Sequence, residues 1–211
     1  MRVIILSNMS CKYVANDDNF FTSLDKNGLD TADNLTNIAS EYLPDHIFCS
    51  PFLSSLQTIF PISNKYSIKV NIDNALYPIN MVNIEKSSDI CPKNLSLFKT
   101  HNYTELSNHY EYLSNIINHY YKSSILSNNI SVIETEGEVK NRVFPFLFNI
   151  INKYKDTNKT IMFVSHANLC SYITKYLKIV YNEKNISNKK FEDGKTFIFD
   201  IPYSKNNLCL E

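Results

Sequence analysis

Five short segments rich in Val, Ile and Phe recur along the chain, at Arg2 to Ser7, Asp45 to Ser50, Tyr66 to Asp73, Thr160 to Ser165 and Lys195 to Ile201. Helical periods lie between them. From Gly28 to Tyr42 the apolar residues Leu29, Ala32, Leu35, Ile38, Ala39 and Tyr42 fall three or four apart, on one face of a helix. A second helix is expected to start at Ser50-Pro51, a hydroxyl cap followed by a proline in the first turn, where its missing N–H costs nothing. Strands that alternate with helices imply an α/β fold, with three α/β/α layers around a mostly parallel central sheet.

The 211 residues suit one domain spanning 1–211. Within it, about 76–130 reads as a helical excursion outside the sheet. Periodicity is weak from Leu76 to His101, but Tyr103, Leu106, Tyr110, Leu113, Ile117 and Tyr120 predict an amphipathic helix over Tyr103 to Lys122.

Charge narrows the function. The chain carries 21 basic and 21 acidic side chains, so its formal net charge is zero, without the cationic excess that neutralising a nucleic-acid backbone requires. The basic set holds 19 Lys and only two Arg, Arg2 and Arg142, beside 28 Asn, a skew that an AT-rich coding sequence would produce. No apolar run reaches the roughly 20 residues of a membrane span, and the opening segment is too short for a signal peptide and lacks a cleavage region. Five scattered cysteines without a CxxC pair suit reduced thiols and a cytoplasmic location. His101, His109 and His119 are spaced by eight and ten, which does not align them as metal ligands, and nothing in the sequence calls for a metal or another cofactor.

Five further pieces occur in order. The first strand ends at Ser7-Asn8-Met9, and Leu24-Asp25-Lys26-Asn27-Gly28-Leu29-Asp30-Thr31-Ala32 enters the first helix. Ser50-Pro51-Phe52-Leu53-Ser54-Ser55-Leu56-Gln57-Thr58 follows the second strand. Glu134 stands eight residues before Arg142-Val143-Phe144-Pro145-Phe146, and a later strand ends in Ser165-His166-Ala167-Asn168. Together these resemble the histidine phosphatase superfamily, the phosphoglycerate mutase-like fold, from Met1 to about Ile179 plus a final strand. In that family the matching pieces read Arg-His-Gly, Leu-Thr-x-x-Gly-x-x-Gln-Ala, Ser-Pro-x-x-Arg-x-x-Gln-Thr, Glu with Arg-Val-x-Pro-aromatic eight on, and Ser/Ala-His-Gly-Asn.

The resemblance implies a His that takes the phosphoryl group, two Arg and a second His that bind its oxygens, and a Glu that protonates the leaving group. Here the nucleophile's position is Asn8 and the two Arg positions are Ser7 and Ser54. An amide nitrogen, its lone pair delocalised, cannot attack phosphorus as imidazole does. Two lost charge-assisted clamps weaken phosphate binding by about 3 to 6 kcal/mol. A lost covalent nucleophile costs on the order of 10⁴ to 10⁶ in rate. Met9, in the family's Gly position, should crowd the loop.

Glu134 and His166 are left as a catalytic remnant, with Ser7, Asn8, Ser54 and Asn168 as a degenerate phosphate pocket. Alternatives stay open for each survivor. Glu134 could serve a helix N-terminal dipole, His166 could be a core histidine, and Arg142 is expected to pack or pair on its helix face.

The expectation that follows is a catalytically inactive family member acting as a binding or scaffold module. Its partner would be an unknown protein or small ligand, with homo-oligomers possible since family members are often dimers or tetramers. The alternative is an active phosphomonoester phosphatase, not a mutase, using displaced groups such as Lys12. A third reading, a hydrolase in which Cys11, Cys49 or Ser7 is activated by His166, lacks any flanking nucleophile elbow.

Overall fold

The computed structural model describes residues 1–12, 19–39, 41–79, 110–126, 129–130, 134–181 and 191–202. Five strands form one sheet: β1 (Arg2–Ser7), β2 (His46–Cys49), β3 (Val70–Ile72), β4 (Thr160–Ser165) and β5 (Thr196–Asp200). Their order is β3-β2-β4-β1-β5. All neighbours run parallel except β5, which returns antiparallel to β1 at one edge.

Alternation along the strands builds two apolar layers. Ile4, Leu6, Ile47, Cys49, Met162 and Val164 face α1 (Lys26–Ala39) and α2 (Leu53–Tyr66), meeting Ala32, Leu35, Leu56 and Ile59. Val3, Ile5, Phe48, Ile161 and Phe163 face the opposite layer, which also holds Val139, Val143, Phe146, Leu169 and Ile173. Those last residues come from two long helices further along the chain. Strands β1 to β4 are buried on both sides, so they read as near-continuous apolar runs.

Several boundaries move. Helix α1 spans Lys26–Ala39, not Gly28 to Tyr42, because the Asp25 carboxylate accepts the Gly28 N–H at 2.7 Å and opens the helix earlier. Helix α2 starts at Leu53, with Phe52 in the cap position and no side-chain cap bond; Ser50 only accepts the Phe52 N–H at 3.5 Å. The third strand is short because α2 runs on to Tyr66 and the chain turns at Ser67, whose φ is 55°.

The largest correction concerns Tyr103 to Lys122, whose first seven positions lie outside the described residues. The rest holds one turn of helix, α3 (Glu111–Ser114), after which the chain opens to lie along β3. The Val70 N–H donates to the Ile116 carbonyl at 2.8 Å and the Asn118 N–H donates to the Val70 carbonyl at 2.9 Å. Ile116 and Ile117 are thus buried as an edge cover, not as one stripe of a long helix. The described part of the 76–130 excursion is accordingly mostly non-helical.

Helix α4 (Glu136–Tyr154) starts with a capping box: Thr135 Oγ1 accepts the Glu138 N–H, and the Glu138 carboxylate accepts the Thr135 N–H at 2.7 Å. Helix α5 (Ala167–Tyr181) follows β4 directly. No helix among the described residues is long and apolar enough to cross a membrane.

Candidate functional site

Strands β1 and β4 pair in register, Ser7 opposite Ser165, and the Asn8 N–H donates to the Ser165 carbonyl at 2.8 Å. Asn8 and His166 therefore begin neighbouring loops at the carboxyl ends of adjacent strands, where sheets of this kind place their ligands.

Asn8 is 4% exposed. Its Nδ2 donates to the Met9 carbonyl at 3.0 Å and to Cys11 Sγ at 3.3 Å, while its buried Oδ1 has no hydrogen-bond partner. Burial pushes the Cys11 thiol pKa up, against the pull of hydrogen bonds from Ser54 and Asn8. Asn8, Cys11 and Ser54 thus share one cluster. Met9 does not crowd the loop; its side chain goes into the core, and Gly194, at φ 73°, lies over it. A Cβ on Gly194 would stand 2.8 Å from Met9 Sδ.

His166 follows the end of β4. Its Nε2 is sealed from solvent and unpartnered. The ring meets Phe52 edge-on, centroids 4.9 Å apart, and Phe52 packs in turn on Phe20 at 5.0 Å and Tyr77 at 5.1 Å. Burial pushes the His166 pKa down to about 4. At neutral pH the ring is therefore uncharged, walled on one side by aromatic carbon.

The other predicted residues turn elsewhere. Ser7 Oγ donates to the Glu192 carbonyl at 2.6 Å and accepts the Lys195 N–H at 3.1 Å, closing the loop before β5. Glu134 stands just before the N-cap Thr135, but Thr135 and Glu138 cap that helix and the Glu134 carboxylate turns to a side chain. Both its oxygens accept from Arg142, through Nε and Nη2, each at 2.6 Å. Arg142 is likewise not confined to its helix face: it is buried and donates to the carbonyls of Ala75 (2.7 Å), Tyr77 (3.1 Å) and Pro78 (3.3 Å).

Two residues of the Ser165-His166-Ala167-Asn168 run complete this grip. Ser165 Oγ donates to the Leu76 carbonyl at 2.7 Å, and Asn168 Nδ2 donates to the Ile79 carbonyl at 2.9 Å. Five successive carbonyls, from Ala75 to Ile79, are thus each held by a side chain. The tethered segment carries Tyr77, whose ring reaches Phe52 beside His166. Sequence reasoning missed both the tether and the Phe20–Phe52–Tyr77 cluster. The only local signal was the density of aromatic residues flanking the motifs.

Among the described residues, no hydrogen bond or ion pair joins a Lys or Arg side chain to Ser7, Asn8, Ser54 or His166. Lys12 is exposed, and Arg2 pairs with Asp200. His166 Nε2 activates neither Cys11 nor Ser7, since it has no partner. Burial raises the Cys49 thiol pKa as well. No group of three or more His, Cys, Asp or Glu able to hold a metal occurs among the described residues, and His101 and His109 lie outside them.

The sequence profile of the histidine phosphatase superfamily (branch 1) matches residues 21–188. No curated protein matches the chain in sequence. Among solved structures, it is similar to an ecdysone phosphate phosphatase from Bombix mori in complex with tungstate, at 13% identity and TM-score 0.65, covering 100% of this chain and 96% of that one. A mycobacterial glucosyl-3-phosphoglycerate phosphatase gives 11% identity and TM-score 0.58, covering 93% and 88%. An alpha-ribazole phosphatase from Shigella flexneri gives 15% and 0.58, covering 96% and 91%. At such identities the likeness speaks for the fold.

Proposed function

Since the chain belongs to the histidine phosphatase superfamily, we propose that it is a member without phosphoryl-transfer activity, serving as a binding or scaffold module. The observation that carries this reading is the setting of Asn8. Its amide nitrogen donates to Met9 and Cys11, and an unpartnered carbonyl oxygen is the polar atom left beside it. A phosphate there would meet an acceptor, where it needs donors. A buried dianion without a cation is strongly disfavoured, and the neutral His166 supplies at most one donor at Nε2.

The retained motif residues support the same reading. Glu134, Arg142, Ser165 and Asn168 all have structural employment in or around the 75–79 tether, which is reason enough for their presence without catalysis.

The test uses tungstate, inorganic phosphate and a generic aryl phosphate ester on the full chain. The expected result is no oxyanion-dependent change in melting temperature and no turnover. Turnover that His166→Ala abolishes, or an acid-labile phosphoenzyme, would overturn the proposal in favour of an active phosphatase with rearranged groups.

A further inference from the structure

The loop from Asn8 to Cys11 is held between two acidic segments. On one side the Gly194 N–H donates to the Asn8 carbonyl at 2.9 Å, which brings Asp193 against the loop. On the other the Asp25 N–H donates to the Ser10 carbonyl at 3.1 Å, and Ser10 Oγ donates to the Asp25 carboxylate at 2.8 Å. Hydrogen bonds from Gly28 and Ser10 keep the Asp25 carboxyl pKa low, so it is charged. Asp193 is exposed and makes no hydrogen bond or ion pair among the described residues, and the nearby Lys195 turns to Glu192 at 3.5 Å. Partial burial and the charge of Asp25 push the Asp193 carboxyl pKa up.

Both carboxylates act on the cluster of Asn8, Cys11 and Ser54. The Cys11 thiol pKa, raised first by burial, is raised further by the charges of Asp193 and Asp25. Lys12 acts on Asp25 in the opposite sense, but it is exposed and forms no ion pair among the described residues. Against the family's pattern, Arg gives way to Ser7 and Ser54 and Thr gives way to Asp25, each change making the site more negative. The buried polar atoms without partners are acceptors as well. Asn8 Nδ2 is committed to Met9 and Cys11, which leaves Oδ1, and His166 Nε2 accepts when the neutral ring carries its proton on Nδ1. Two acceptors beside an unpaired carboxylate suit a ligand that brings several N–H donors and a positive charge.

We propose that this site binds a primary ammonium group, whose N–H donors go to Asn8 Oδ1 and His166 Nε2 and whose charge is balanced by Asp193. The inference rests on the reading of the chain as a binding module. It gives that module a ligand of the sign opposite to phosphate, taken at the same strand ends. The ammonium can belong to a free alkylamine or to a lysine side chain of a peptide, and the group attached to it separates the two. A quaternary ammonium, which has the charge without the N–H donors, is not a ligand.

The test titrates the full chain with methylammonium chloride, butylammonium chloride and Nα-acetyl-lysine amide, and with tetramethylammonium chloride and sodium phosphate at equal ionic strength. At least one primary ammonium is expected to raise the melting temperature in a saturable way and to shift the Asn8 side-chain amide resonances in wild-type protein. A response to the alkylamines alone assigns a free amine, and one to the lysine amide assigns a peptide side chain. Tetramethylammonium and phosphate are expected to do neither. Asp193→Asn, at an exposed position, is expected to melt like the wild type and to bind about two- to five-fold more weakly, as the loss of one partly screened ion pair requires. No response to any primary ammonium, an equal response to tetramethylammonium, or unchanged affinity in Asp193→Asn overturns the proposal. Turnover or a phosphoenzyme defeats the reading of the chain as inactive, whereas silence toward amines and phosphate alike defeats the ammonium site alone.

Discussion

Arg142 and Glu134 form a two-pronged ion pair, 2.6 Å at each contact, buried where helix α4 meets the segment after β3. The guanidinium also donates to three backbone carbonyls, so its removal leaves a carboxylate and those carbonyls without donors. Breaking one side of a buried pair typically costs about 3 to 5 kcal/mol. Arg142→Met is therefore expected to lower the urea midpoint sharply with little change in slope. Glu134→Gln, which keeps an acceptor for one Arg142 donor, should cost less. Equal losses for the two variants in equilibrium denaturation would contradict this assignment.

Acid should weaken the fold through His166. Its folded pKa of about 4 lies below the ordinary value of 6.5, so the unfolded chain binds a proton first as pH falls. The stability held by the neutral ring is complete above about pH 6.5 and lost progressively toward pH 4, in total on the order of 3 kcal/mol. The check is the difference in stability between wild type and His166→Gln across this range. A difference that does not change with pH counts against a ring kept neutral by its buried Nε2.

Phe52 walls that ring. Phe52→Ala should let water reach His166 and raise its pKa toward 6.5, visible in the imidazole resonances during an NMR titration. The same variant removes a buried aromatic and should destabilise the protein by about 3 to 5 kcal/mol. An unchanged titration midpoint in the folded variant would show that something other than Phe52 shields the ring.

Gly28 offers a test in which two effects have opposite signs. Gly to Ala inside a helix ordinarily stabilises by about 1 kcal/mol. At this position a Cβ would overlap the Ser10 carbonyl, which is backbone and cannot swing aside. Gly28→Ala is expected to destabilise, with thermal melts as the readout. A raised melting temperature would mean that α1 can shift away from the Ser10 loop.

Much of the fold could be read from the chain. β1 and β4 are apolar on both faces because both faces are covered, and they occupy the predicted residues. The three-four spacing around Leu35 marked α1 for the same reason. Within the predicted Tyr103 to Lys122 helix, spacing failed over the described part from Tyr110 to Lys122, because buried residues in a turn that covers a sheet edge can mimic a helical stripe: Leu113, Ile116 and Ile117 all face inward there. The site was legible to the extent that its residues sit at strand ends. Asn8 and His166 fall where the motifs place them. The hydrogen-bond partners of Ser7 and Asn168 lie 185 and 89 residues away in sequence, beyond what local pattern records. Glu134 finds Arg142 only eight residues on, but that pairing takes meaning from the carbonyls the guanidinium also holds.

The hydroxyl of Ser7 closes the loop that leads into β5, with one bond to Glu192 and one from Lys195. A side chain without a hydroxyl at this position forfeits both contacts, while the Gly194 N–H still donates to the Asn8 carbonyl at 2.9 Å and the backbone ladder between β1 and β5 stays paired. Serine at position 7 therefore acts as a latch on the approach to the last strand, not on the strand itself.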